Sequence, residues 1–165
     1  MLLELAIVTV ALQAPGGAAT LDKDQARAWV EGASKVWKAC EISLVHREHR
    51  VLETDADVPL RPASLRHLET AMRQAFETGP AVTVTVTGHW DRRGELGGDT
   101  SWAYGFPPRM PVTGVIAESR ATERPTLLAH EIGHVLGLPH QANLPGNLMI
   151  RSVYEDSQVL SPVQC

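Results

Sequence analysis

Hydrophobic and polar positions alternate most cleanly in AVTVTVTG, residues 81–88, where valine and threonine repeat every second position. Successive side chains of a strand point to opposite faces, so this segment predicts a strand. The opening run MLLELAIVTVAL is apolar almost throughout. It lacks the positively charged start of an export signal, Glu4 interrupts it, and it is too short to cross a membrane. The Ile, Val and Thr of residues 4–12 suit a buried strand instead, and any export signal is then expected upstream.

A helical period follows the loop QAPGGAAT. Asp22 with Gln25 three residues later has the form of a capping box. Trp29, Ala33, Val36, Trp37 and Cys40 then fall on one helical face, as core residues. EISLV, residues 41–45, predicts a second strand, and residues 55–62 a loop. Ser64 stands where it would cap a second helix over 64–78. Leu65, Leu68, Met72, Ala75 and Phe76 are expected to face inward, and Gly79-Pro80 to end it. Residues 88–114 form a glycine- and proline-rich stretch too long for a plain connector, a candidate functional loop, with short strands expected at 101–106 and 112–117. Pro125 suits the first turn of a helix running through Leu136. Only loops are expected beyond it, up to LSPVQC, where Ser161 and Pro162 have the look of a last helix cut short.

A length of 165 residues fits one domain with its own core. Hydrophobic content of 44% and charged content of 21% are ordinary for a soluble globular chain. A net charge of −4 argues against nucleic acid or an anionic membrane as the main partner. There is no internal repeat and no run of five or more like charges.

The candidate chemistry lies in HEIGHVLGLPH, residues 130–140. Residues four apart share a helix face, so His130 and His134 can present ring nitrogens to one ion. Glu131 is offset by about a hundred degrees around the axis, which puts its carboxylate beside that ion and not on it. A catalytic zinc takes three protein ligands and keeps a fourth position open. His140 can be the third if the helix stops abruptly. Gly137 permits the left-handed backbone such a stop requires, and Pro139 blocks continuation. A structural zinc would need a fourth protein ligand, often cysteine, and no cysteine lies near the motif.

HEIGHVLGLPH with Met149 following resembles the metzincin signature, an extended zinc motif plus a methionine turn. The short step from His140 to Met149 is similar to the matrixin branch. The resemblance extends upstream, more loosely, through VWKAC, EISLV, TVTVTG and SWAYGF in the family's order. It implies an α+β fold, a zincin-like catalytic domain with a twisted mixed sheet and long helices in an N-terminal subdomain of about residues 1–137. A small irregular C-terminal subdomain of about 138–165 would complete a single catalytic domain spanning 1–165. The implied activity is zinc-dependent endopeptidase hydrolysis of extended polypeptides through a zinc-bound water. One catalytic Zn2+ would be held by His130, His134 and His140, with Glu131 as general base. Gly137 would end the helix, and Met149 would form a hydrophobic floor without ligating. Ser101, Trp102, Ala103, Tyr104 and Gly105 would lie on an edge strand along which a peptide pairs. Ile150 and Arg151 would begin one wall of the main specificity pocket. Protein or peptide substrates, a monomeric chain and a secreted or periplasmic location are implied with these. Two other readings stay open: a catalytically weak zinc-containing peptide-binding module, and a zinc hydrolase of small amides.

The chain also departs from the family's pattern. His89 and Asp91 form the HxD pair of a second zinc site, but Tyr104 and Ile116 stand where its other two histidines would align. Glu118 is a lone carboxylate for a calcium site. Neither a structural zinc nor calcium is expected. Ile150 to Tyr154 stands where the family usually has Tyr-Pro, so side-chain preference does not carry over. The helix expected at 64–78 is additional to animal matrixins and suggests a bacterial-type relative. Cys40 and Cys165 match no metal or redox spacing. They are either two unrelated buried thiols or, as an extracellular enzyme would favour, one disulfide.

Overall fold

In chain order the elements are β1 (Leu3–Gln13), α1 (Lys23–Trp37), β2 (Ile42–Glu53), α2 (Leu65–Ala75), β3 (Val82–Thr87), β4 (Ala103–Phe106), β5 (Gly114–Glu118) and α3 (Pro125–Val135). They come from a computed structural model that describes residues 2–54, 59–75, 81–90, 102–109, 112–142 and 144–165. The strands form one mixed sheet in the order β2-β1-β3-β5-β4. Every pairing is parallel except the last, where β4 runs antiparallel to β5 along the edge. This is the expected α+β architecture.

The two sheet faces bury different residues. Ile7 and Ala11 of β1, Val84 and Val86 of β3, and Val115 and Ala117 of β5 pack with α1 and α3. Leu12 and Ile116 pack with Leu68, Ala71 and Met72 of α2 on the other face. The Val/Thr alternation of β3 therefore separates two covered faces, not core from solvent: Thr83, Thr85 and Thr87 are as buried as the valines.

Helix α1 opens with the expected capping box. The Gln25 N–H donates to Asp22 Oδ1 at 2.8 Å, and the Asp22 N–H donates to Gln25 Oε1 at 3.4 Å. Its two tryptophans then hold α3. Trp29 Nε1 donates to the Arg124 carbonyl at 3.2 Å and Trp37 Nε1 to the Ala129 carbonyl at 3.1 Å. A Cβ on Gly32 would stand 2.6 Å from Pro125, so glycine lets the two helices cross this closely.

Two expectations need correction. Strand β2 runs far beyond residue 45, because β1 offers it partners as far as Gln13, which pairs with Glu53. Its polar run HREHR is compatible with an edge position, where one side of the strand meets water. Leu65 is 55% exposed, not inward; α2 reaches the sheet only from Leu68 onward. After α3 the chain makes isolated bridges and turns, ending in one helical turn in which the Gln164 and Cys165 N–H groups both donate to the Ser161 carbonyl. Phe76, Gly79 and Pro80 lie outside the described residues. Cys40 and Cys165 are joined as a disulfide, which ties the chain's last residue to the 3-10 turn after α1. Among the described residues no helix is long and apolar enough to cross a membrane.

Candidate active site

Helix α3 carries the histidine motif and stops where the sequence predicts. Gly137 has φ +93°, and the helix closes with the Leu138 N–H donating to the Gly133 carbonyl and the Gly137 N–H to the His134 carbonyl, both at 2.9 Å. That pair of bonds is a Schellman end, which needs a residue tolerant of positive φ. The chain then doubles back through Pro139. His134 Nε2 stands 3.1 Å from His130 Nε2 and 3.1 Å from His140 Nε2.

The backbone sets which ring nitrogens face each other. His130 Nδ1 lies 2.6 Å from the Leu148 carbonyl, and His134 Nδ1 lies 2.8 Å from the Leu138 carbonyl. A carbonyl only accepts, so each Nδ1 carries the proton and each Nε2 presents a lone pair. Burial, above all, pushes His130 down to about 4 and lowers His134 and His140 as well, which keeps the rings neutral. Converging neutral lone pairs repel one another unless a cation sits among them. Zinc bonds of about 2.0–2.1 Å in a tetrahedral arrangement put ligand nitrogens roughly 3.3 Å apart. The donor set fits that ion, and among the described residues it is the one cluster of three or more His, Cys, Asp or Glu ligand atoms that close together.

Two segments brace the cluster from below and above. Met149 is fully buried, and a Cβ on Gly133 would stand 2.5 Å from its sulfur, so glycine makes room for it against α3. The turn holding Met149 is fixed by the Gln141 N–H donating to the Met149 carbonyl at 2.7 Å and the Met149 N–H donating to Asn147 Oδ1 at 2.9 Å. The same turn supplies the Leu148 carbonyl that orients His130. On the other side β4 runs beside α3. The Gly105 N–H donates to Glu131 Oε2, while burial pushes the Glu131 carboxyl up to about 8 against that bond.

These groups line one cleft of about 1280 Å³. His130, Glu131, His134 and His140 are on its wall, as are Gly137, Trp102, Ala103, Tyr104, Gly105 and Arg151. Ser101 and Asp91 lie outside the described residues. Ile150 is not on the lining; it bridges to Gln141, and its wall is formed instead from Arg151 through Tyr154. Glu118 is buried with partners of its own: the Trp90 N–H at 2.6 Å, Arg120, and His89 Nδ1 at 3.9 Å. The expectations omitted Arg120, Arg124 and Leu127. A signal for two of them was present, since Arg124 and Leu127 extend the helix face of Glu131 and His134 upstream at spacings of three, four and three.

In comparisons with known proteins, a structure of metalloproteinase-II from Bacteroides fragilis shares the fold with TM-score 0.61 at 16% identity, over 99% of this chain and 51% of that one. This chain thus spans about half the length of that protein. A structure described as a chaperone–substrate complex matches with TM-score 0.51 at 11% identity, over 93% of this chain and 28% of that one. A search of the curated proteins returned no match. The family model described as matrixin matches residues 5–162, nearly the whole chain. By that match, the chain belongs to the matrixin family of zinc metallopeptidases.

Proposed function

We propose that the chain is a zinc endopeptidase that cuts extended polypeptides, with His130, His134 and His140 as metal ligands and Glu131 as general base. The observation that carries this reading is the approach of three histidine Nε2 atoms beside a buried carboxylate on one cleft wall. When bound, zinc supplies Lewis acidity, polarising a carbonyl oxygen and making water easier to deprotonate. The Leu148 and Leu138 carbonyls keep His130 and His134 in the tautomer a metal ligand needs. A cation held by the histidines would favour the ionised form of Glu131, in which it takes a proton from the attacking water and hands it to the leaving amine. The Gly105 N–H holds that carboxylate in register with the cleft. Among the described residues β4 is the last strand of the sheet and lines the cleft, which supports reading it as the strand beside which an extended substrate lies.

The whole of 1–165 is read as one catalytic unit, with about 1–137 above the cleft and about 138–165 below it. Leu148, Met149 and Leu160 from the lower part share a buried cluster with α1, α3 and the sheet, which supports that reading. The disulfide supports export to an oxidising compartment, secreted or periplasmic. The test is incubation with an unstructured protein such as casein, with and without a chelator. Internal cleavage that the chelator abolishes is the expected result. One bound zinc without cleavage would select the peptide-binding alternative.

A further inference from the structure

The cleft's arginines have no part in the machinery above. Arg124 precedes α3 and shares the cleft wall with Leu127 and Glu131. The guanidinium carbons of Arg120 and Arg124 lie 4.3 and 4.8 Å from the centre of the Trp102 ring. An aromatic face holds a guanidinium flat and leaves its in-plane N–H groups for a planar anion. Arg151 lines the cleft from the segment after Met149.

Among the described residues, Glu118 and Glu155 pair with these arginines. Glu118 is buried against Arg120, and Glu155 Oε1 lies 3.5 Å from Arg124 Nε with its side chain 60% exposed. Both contacts are made by Nε, and a guanidinium carries further N–H donors. On the described lining the carboxylate is Glu131, and the same lining carries Arg120, Arg124 and Arg151. Among the described residues, a chain of net charge −4 therefore lines its cleft with more arginines than carboxylates.

We infer that the cleft selects substrates with an Asp or Glu side chain close to the scissile bond, held by Arg124 with Arg120 and Arg151. The inference rests on the peptidase reading above. Arg124 precedes His130 by six residues, about 9 Å of helix axis. An extended peptide advances about 3.3 Å per residue, so the carboxylate belongs within about three residues of the cut.

Matched peptides carrying Glu or Gln at each of three positions on either side of the bond test this. The expected kcat/KM ratio of Glu over Gln is at least about tenfold at one or more positions, the scale of a charge-assisted contact. Arg124→Gln brings the ratio toward one, and Arg124→Glu turns the preference to Lys. Arg151→Gln, on a segment outside the helices, repeats the loss in part and guards against misfolding of the first pair. A ratio near one at every position in the wild type overturns the inference, as does a ratio that survives both Arg124→Gln and Arg151→Gln. If no peptide is cut, the proposed activity fails, and equilibrium binding of the same labelled pairs to the wild-type chain decides this inference separately. Tenfold tighter binding of a Glu peptide keeps it; equal binding overturns it.

Discussion

The backbone N–H of Gly105, on the edge strand, donates to the carboxylate of Glu131, on the histidine helix. One hydrogen bond thus joins the strand read as the substrate track to the group read as the base. The approach is so close that a Cβ on Gly105 would overlap the Glu131 carbonyl oxygen and stand 2.8 Å from its carbonyl carbon. Glycine is needed here for space. Gly105→Ala is expected to cost about 1–3 kcal/mol, as overpacking does, and to lower the cleavage rate of the folded fraction. Urea unfolding and kinetics on one preparation check both, and unchanged values in each would mean that β4 does not lie against α3.

Glu131→Gln removes the base and keeps the side chain's shape. It is expected to retain one zinc and to lose at least about a hundredfold in kcat/KM, a typical general-base contribution. Elemental analysis beside kinetics reads both. Near wild-type turnover would remove Glu131 from the mechanism.

The Cys40–Cys165 disulfide closes a loop with a sequence separation of 125. A loop of that length restrains the unfolded chain by about 4–5 kcal/mol in the chain-entropy model. The double variant Cys40→Ser, Cys165→Ser should therefore be less stable by that amount and unfold at a lower urea concentration than the wild type. Equal midpoints would show that the link restrains nothing in the unfolded chain.

His46 Nε2 and His49 Nδ1 each lie 2.9 Å from the Thr9 hydroxyl oxygen. Strands normally alternate faces, but the β2 register shift around Arg47 brings both rings to the face of Thr9. Burial lowers both histidines below their ordinary 6.5, and His46 is lowered further by His49. The unfolded chain then takes up protons near pH 6.5 that the folded chain refuses, so stability is full above that value and falls as pH drops below it. Melting temperature should decline from pH 7.5 to 5, and His46→Gln with His49→Gln should flatten the decline. A slope unaffected by the double substitution would assign it to other groups.

The parts of this account legible in the sequence are those where local chemistry acts alone. Gly137 and Pro139 ending a helix, Asp22 and Gln25 capping one, and His130 and His134 sharing a face all follow from nearest neighbours along the chain. The extension of β2 past residue 45 through the polar HREHR depends on pairing with β1, some forty residues earlier. The second buried face of β3 was hidden because threonine suits water and a covered sheet equally. Arg120 was missed for a related reason: its guanidinium lies over Trp102, which is distant along the chain and just ahead of β4. Leu65 followed the apolar period of α2 and still faces solvent, since periodicity does not say where a covering sheet ends.

The central claim is a zinc held by three histidines and required for cleavage. It is tested most directly by stripping the metal and titrating zinc back while following internal cleavage of an unstructured substrate. Activity should be absent without metal and rise to its full value at one equivalent of zinc per chain, with His140→Ala failing to recover. Cleavage that persists in the stripped chain, or one equivalent of zinc bound with no cleavage, would contradict the account.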